Sequence, residues 1–327
     1  MGYNKDKFKR IREEYETKAL LAQRAADARR QELEEKIPGL RELDARLSTF
    51  GLRVMKQALE GGNTQQAIKE LQEENRKVLE IRRNLLLQYG YPEDYCKPHY
   101  ECEKCNDSGY VGIQMCACMR RRLTDAAMES SGLGSLMSRQ SFANFSLEYY
   151  RSSPEEYERM KQTLSKLQAY AANFSTNGDK PAPSSILLLG GTGLGKTHLS
   201  TSVAREVIEL GFDVFYNTAV GMISDFEVRR FGNTMALGDA DNTERYVACD
   251  LLILDDLGTE VVNQFTQSCL YYVLNSRLNL NRPTIISTNL KPDELRRTYA
   301  DRITSRLMGE FLILPFYGTD IRKQKLK

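Results

Sequence analysis

Long apolar runs are missing from this chain. Nothing in its 327 residues approaches the roughly 20 consecutive apolar residues that a bilayer-spanning helix requires, so an integral helical membrane protein is excluded. An apolar leader is missing too: Met1 to Arg12 is charged, and the expected compartment is the cytoplasm. Net charge is scarce. Forty-six Lys and Arg against 44 Asp and Glu leave +2, far from the field of a protein that grips nucleic acid over its whole surface, so any such contact must be local. No internal repeat or low-complexity tract occurs. A whole-chain disulfide framework is also absent, because five of the seven cysteines crowd between Cys96 and Cys118; in a reducing compartment that crowding favours metal binding.

What is present is a globular composition, 41% apolar and 28% charged, with the charge excess of long solvated helices. The length sets the expectation at two or three domains. Residues 1–92 are rich in Glu, Lys, Arg, Leu and Ala and read as helices, interrupted at Pro38 and at Gly61-Gly62-Asn63. Leu33, Ile37, Leu40, Leu47 and Val54, then Ile68, Leu71, Val78 and Leu85, recur at three- and four-residue steps or their sums, which lines each set along one helical face. Such stripes need burial, either in an intramolecular hairpin or as a seam offered to a partner protein. Residues 93–131 hold the cysteine cluster, and 132–178 form a linker with a lead-in helix. That helix is expected from Glu155 to Phe174, with Ser153 as its cap and Pro154 in its first turn. Turn residues at Thr176-Asn177-Gly178 and Pro181-Ala182-Pro183 mark the next boundary.

Residues 179–327 change pattern. Short apolar runs at Ile186 to Leu189, Val214 to Tyr216, Leu251 to Leu254, Thr284 to Ser287 and Phe311 to Leu314 alternate with helical stretches, as buried parallel strands joined by crossover helices should. Between the first run and the first helix lies Gly190-Gly191-Thr192-Gly193-Leu194-Gly195-Lys196-Thr197, a full G-x-x-x-x-G-K-[ST] phosphate loop. Phosphates need several amide N–H groups aimed at one point, and glycines let the backbone curl and approach that closely. The helix dipole adds to this. Lys196 is expected on the β- and γ-phosphates of ATP, and the Thr197 hydroxyl on magnesium. Leu251 to Leu254 ends in Asp255-Asp256, where Asp255 would hold the magnesium and Asp256 would orient or deprotonate the attacking water. Asn289, after Ile285 to Thr288, is a candidate γ-phosphate sensor or a turn residue capping the next helix. Arg302 and Arg306, four apart and so on one helical face, are candidates for an arginine finger reaching a neighbouring subunit's ATP, with Arg306 preferred.

The cysteines fall as Cys102-x-x-Cys105 and Cys116-x-Cys118, joined through a turn at Asp107-Ser108-Gly109. Four soft thiolates close the shell of a tetrahedral structural zinc. Cys96 and His99 are spare donors able to replace one of the four. Cys249 and Cys269 sit in apolar elements and read as core.

Four stretches carry a family resemblance: Gly193-Leu-Gly-Lys-Thr-His198-Leu199, Leu254-Asp-Asp-Leu-Gly258-Thr-Glu260, Ser287-Thr-Asn-Leu290 and Asp301-Arg-Ile-Thr-Ser-Arg-Leu307. Together they resemble the DnaC/DnaI helicase-loader family, a branch of AAA+ ATPases close to DnaA. Ser138-Arg-Gln-Ser-Phe142-Ala-Asn-Phe145 resembles its lead-in. The likeness implies an α/β P-loop AAA+ domain with a five-stranded parallel sheet over 179–327, preceded by an all-α helicase-interaction region and a zinc module. It places His198 in the nucleotide loop, makes Arg306 the finger and makes Arg322 a sensor-2 arginine. It also implies an ATP-dependent homo-oligomer that binds the replicative DNA helicase and delivers it to single-stranded DNA in replication initiation, hydrolysis releasing it. Single-stranded DNA would meet an extra helix within Ala219 to Asp250, where Phe226, Arg229, Arg230 and Phe231 suit stacking and phosphate contact; an ordinary crossover helix is the alternative, with Asp239, Asp241 and Glu244 diluting the charge. Competing functions are an IstB-like transposition helper, which usually lacks the zinc module, and a non-catalytic ATP-binding adaptor.

Overall fold

The structure, a computed structural model, describes residues 5–59, 64–134, 136–175, 185–231 and 243–324. Expectations placed on Gly61-Gly62-Asn63, Thr176-Asn177-Gly178, Pro181-Ala182-Pro183, Asp239 and Asp241 lie outside them, as does the side chain of Phe231. The chain forms two compact units, one of Arg12–Met119 and one of Met1–Ile11 with Arg120–Lys327.

The first unit takes α1 (Lys5–Lys36) from Arg12 onward; α1 ends before Pro38-Gly39, and α2 (Leu40–Leu59) and α3 (Thr64–Gln88) pack on each other. Leu33, Ile37 and Leu40 are buried with Leu86 and Cys96, so this part of the apolar stripe is satisfied within the chain. Arg82 and Asp44 add a largely buried ion pair at 2.6 Å between α3 and α2. Farther along α2 the apolar residues Leu52, Met55 and Leu59 are exposed. A two-stranded antiparallel ribbon, β1 (Tyr110–Val111) with β2 (Gln114–Met115), follows, and α4 (Ala117–Ser130) leads into the second unit.

The second unit continues with α5 (Leu136–Arg139), short 3-10 turns at Phe142–Asn144 and Leu147–Tyr150, and α6 (Pro154–Ala172). Ser153 caps α6, its side chain accepting from the Glu156 N–H, with Pro154 in the first turn, a cap that contributes about 1 kcal/mol. Then come β3 (Ser185–Leu189), α7 (Lys196–Glu209), β4 (Val214–Thr218), α8 (Ala219–Phe231), α9 (Arg245–Ala248), β5 (Leu251–Leu257), α10 (Gln264–Asn279), β6 (Thr284–Thr288), α11 (Pro292–Thr298), α12 (Asp301–Gly309), β7 (Phe311–Pro315) and α13 (Ile321–Gln324). The five strands β3 to β7 form one parallel sheet in the order β4-β5-β6-β3-β7, each of the five apolar runs of the sequence supplying one strand.

Alternation along the strands builds two cores. Ile186, Leu188, Val214, Tyr216, Leu251, Ile253 and Ile285 face α6 and α7, while Leu187, Leu189, Phe215, Leu252, Leu254 and Ile286 face the opposite layer with α10 and α12. Residues 132–175, expected as linker and lead-in, contribute Leu133, Tyr150, Met160, Leu167, Ala171 and Phe174 to the first core. Because β3 lies between β6 and β7, the loop after β3 opens beside the end of β6, with β5 one strand further on, at the strand ends where a doubly wound sheet places its ligand.

Candidate functional site

The loop after β3 curls through Gly193 (φ 74°) and Gly195 (φ 82°), the left-handed region that glycine occupies without strain. Close packing reinforces the choice at Gly193, where an added Cβ would lie 1.8 Å from Asp320 Oδ1. The Ile321 N–H donates to the Gly193 carbonyl at 3.0 Å, and the Tyr150 hydroxyl to the Leu194 carbonyl at 2.7 Å. The loop is thus held from both flanks, by the C-terminal segment and by the lead-in.

The cleft beside it has a volume of about 360 Å³. Thr192 to His198, Asp256, Asn289 and Arg322 all line it, as do Gln140, Asn144, Phe145 and Tyr149 from the lead-in. His198 Nε2 donates to the Ser141 carbonyl at 2.9 Å, and its ring meets Phe145 edge-on at 5.4 Å.

Lys196 uses all three of its donors. Its ammonium lies 2.7 Å from the Gly190 and Gly191 carbonyls and 2.6 Å from Asn289 Oδ1. Burial pushes this ammonium below the usual lysine range, against the pull of Asp256 and Asp255. Asn289, one of the two sequence alternatives for which was a helix cap, instead has its side chain on Lys196; Lys291 occupies the N-cap position of α11.

Asp255 lies behind the cleft, 2% exposed. Its Oδ2 accepts from Thr197 Oγ1 at 2.8 Å and from the Tyr216 hydroxyl at 2.9 Å, and its Oδ1 accepts from Ser287 Oγ. A buried carboxylate is tolerated when its lone pairs are met in this way. The pairing of β5 with β6 shifts register between Leu254 and Leu257, and Asp256 sits in that irregularity with φ 55°. Such bulges re-aim side chains, and this one turns Asp256 to the cleft, its N–H donating to Ser287 Oγ at 3.0 Å. Burial first, then the Asp255 charge, raise the Asp256 carboxyl above the ordinary range, while Lys196 and Arg322 pull it back.

Arg306 is not part of this cleft. On α12 its guanidinium donates to Asn275 Oδ1 at 2.7 Å and to the Tyr271 hydroxyl at 3.2 Å, and it stacks over the Tyr271 ring at 4.7 Å. Arg302 stacks on the same ring at 4.6 Å. In the insert, Phe226 packs against Tyr246 at 5.8 Å and Tyr272 at 6.2 Å. Arg229 donates to Thr243, and Arg230 lies over Phe265 at 5.1 Å.

In the first unit the sulfurs of Cys102, Cys105, Cys116 and Cys118 all lie within 4.8 Å of one another. Cys102 and Cys116 are 3.8 Å apart, and Cys105 and Cys118 3.5 Å. Four thiolates at a zinc–sulfur distance of 2.3 Å in a tetrahedron stand about 3.8 Å apart, so the donor set fits zinc. Asp107 organises the loop, accepting from the Cys102 N–H at 2.8 Å and the Glu101 N–H at 2.9 Å. Cys96 packs in the apolar cluster of α1 to α3, and neither it nor His99 joins the four. Cys249 and Cys269 are core residues of the sheet unit.

Sequence reasoning missed Tyr216, Ser287, Gln140 and Tyr150. Tyr216 carries no motif, and the stretch Ser287 to Leu290 does not say which group its first hydroxyl meets; the sheet register brings both to Asp255, while Gln140 and Tyr150 reach α7 and the loop by long-range packing.

Among the described residues, no helix is long and apolar enough to cross a membrane. The profile of the IstB-like ATP binding protein family matches residues 160–325, about half of the chain. The replicative helicase loader DnaC of Escherichia coli K12 is 26% identical over 186 residues, covering 55% of this chain and 70% of the loader. The chromosomal replication initiator DnaA of Campylobacter jejuni strain 81116 is 32% identical over 122 residues, covering 37% of this chain and 26% of the initiator. A crystal structure of the DnaC helicase loader superposes with a TM-score of 0.43 at 20% identity, over 54% of this chain and 98% of that one. With its phosphate loop, paired aspartates and parallel sheet, the chain belongs to the IstB-like ATP-binding protein family, in which it is similar to the DnaC-type AAA+ helicase loaders.

Proposed function

We propose that this protein is an ATP-driven loader that binds the replicative DNA helicase through its N-terminal helices and cysteine module, delivers it to single-stranded DNA at replication initiation, and releases it on ATP hydrolysis. The observation that carries the nucleotide part is the convergence of Lys196, Asn289, Thr197 and Asp255 around one loop of backbone amides. Gly190 to Gly195 and the α7 N-terminus bind the phosphates. Lys196 exchanges its carbonyl partners for phosphate oxygens, and Asn289, already on Lys196, orients the terminal phosphate. Thr197 and Asp255 hold magnesium, which supplies neutralisation of the charge that develops on the phosphates. Asp256 takes the proton of the attacking water, its raised affinity for protons suiting a base. Phe145, Asn144 and Gln140 form the wall for the nucleobase, and Arg322 closes on the phosphates from the C-terminal side. Arg306, away from its own chain's cleft, serves the cleft of a neighbouring copy in an ATP-dependent homo-oligomer. Zinc at Cys102, Cys105, Cys116 and Cys118 holds the module's fold.

A population shift by ATP requires that it bind the locked oligomer better than the open one. The test is co-purification with the host's replicative helicase, with and without ATP, beside Lys196→Ala. The loader reading predicts a complex whose amount depends on ATP and on Lys196; no complex in either condition overturns it. The transposition-helper reading has the family's description in its favour. It predicts no helicase complex and an ATP-dependent association with transposase-bound DNA.

A further inference from the structure

Three hydroxyls converge on Asp255 from three elements: Thr197 at the start of α7, Ser287 on β6 and Tyr216 on β4. Thr197 lines the nucleotide cleft and Ser287 lies two residues before Asn289, which does so too. Tyr216 approaches from the far side. It pairs with Ile253 in the register of β4 on β5, and the two-residue period puts Asp255 on the same face, within diagonal reach of the phenol. β4 is the edge of the sheet, so alternate backbone groups point away from β5. One of them, the Tyr216 N–H, donates to the Ser131 carbonyl at 2.7 Å.

The turn that covers this edge is tightly built. Gly132 has φ 81°, and an added Cβ would lie 2.3 Å from the Tyr216 carbonyl oxygen. Ser131 is fully buried, its hydroxyl donating to the Met128 carbonyl at 2.7 Å. Arg245 donates to the Ser130 carbonyl at 2.6 Å while its guanidinium lies over Phe215 at 4.4 Å and meets Asp213 at 3.1 Å. The last residues of α4 are therefore fixed to the backbone of the residue whose side chain holds the carboxylate. The same helix carries Cys118 in its first turn.

We propose that Tyr216 is a positioning residue for Asp255, and that the Ser131–Gly132 turn ending α4 sets its place, so that the backbone of this turn governs how tightly the site holds magnesium. This rests on the reading of Asp255 as a magnesium ligand. Groups that orient a metal-bound carboxylate typically alter metal affinity by roughly 10- to 100-fold when removed.

The experiment is a magnesium titration of nucleotide binding, read with a fluorescent ATP analogue on the full chain and set beside thermal melts. Tyr216→Phe keeps the ring and removes the hydroxyl. It is expected to raise the magnesium concentration at half-saturation by roughly 10-fold, with binding in EDTA matching the unsubstituted protein. Gly132→Ala is expected to shift the midpoint the same way, and the double variant to shift no more than the larger single one, as coupled groups do. If Gly132→Ala fails to fold, Arg245→Gln, which loosens the same turn through Ser130, is expected to give the shift. A lowered melting temperature with an unmoved midpoint in Tyr216→Phe would overturn the assignment, leaving the nucleotide site intact. Absence of magnesium-dependent binding in the unsubstituted protein would overturn the nucleotide reading itself, and this assignment with it.

Discussion

The Lys196 ammonium donates to the Asn289 side-chain oxygen at 2.6 Å, tying the start of α7 to the end of β6 across 93 residues of sequence. On the proposed reading, a γ-phosphate entering the loop shares Lys196 with Asn289, and the amide registers which nucleotide is bound. Asn289→Ala is expected to leave ATP affinity nearly unchanged and to lower the hydrolysis rate roughly 100-fold, the scale of losing one preorganised donor at the developing charge. Steady-state phosphate release and nucleotide titration on the same preparation check the split.

If Asp256 is the base, it gives the activity its pH dependence. Its carboxyl is raised by burial and by Asp255, so the fraction ionised, and with it the rate, climbs as pH rises through a value above the ordinary carboxylate range. The stability sign is opposite. A carboxyl with a raised folded-state pKa contributes stability that is present at low pH and lost as pH rises through that pKa. Asp256→Asn is therefore expected to remove the acidic limb of the pH–rate profile, lower hydrolysis by roughly 10²- to 10⁴-fold, and raise the melting temperature at neutral pH. A lowered melting temperature there would contradict the assignment.

Arg306 is held by Asn275 and Tyr271 outside its own cleft. If it acts on a neighbour, Arg306→Ala binds ATP normally but hydrolyses it roughly 10³-fold more slowly. Mixing it with Lys196→Ala is then expected to restore measurable turnover, since the mixed interface pairs an intact loop with an intact arginine. Turnover no greater than the sum of the two variants would count against a shared site.

The cysteine cluster predicts one zinc per chain by elemental analysis. Cys105→Ser or Cys116→Ser is expected to release it, and a strong chelator to unfold the module, since structural zinc contributes about 10–16 kcal/mol of apparent folding free energy in small modules. Cys96→Ala is expected to keep the metal and lose only packing, because Cys96 lies among Leu33, Ile37, Leu40 and Leu86.

Much of this architecture was legible in the sequence where spacing encodes geometry. The loop Gly190 to Thr197 can be read because its glycines and the flanking strand and helix are contiguous, and each buried parallel strand leaves a short, mostly apolar run. The four cysteines can be read for the same reason. For Asn289 the sequence allows a sensor or a helix cap; the fold puts its side chain on Lys196 and Lys291 at the cap. What could not be read depends on register and long-range packing. Tyr216 looks like any strand tyrosine until β4 is laid beside β5, and Tyr150 reaches Leu194 across 44 residues. Phe226 beside two arginines suits either a stacking surface or an ordinary crossover helix, and only the fold shows its ring packed on Tyr246.

The central claim is that magnesium-ATP binds at the loop opened by β3 and is hydrolysed there. Equilibrium titration with labelled ATP, with and without magnesium, on the unsubstituted chain and on Lys196→Ala tests it most directly. The account predicts one saturable site per chain, strengthened by magnesium and lost in Lys196→Ala. Unsaturable uptake by folded protein, or binding indifferent to Lys196, would contradict it.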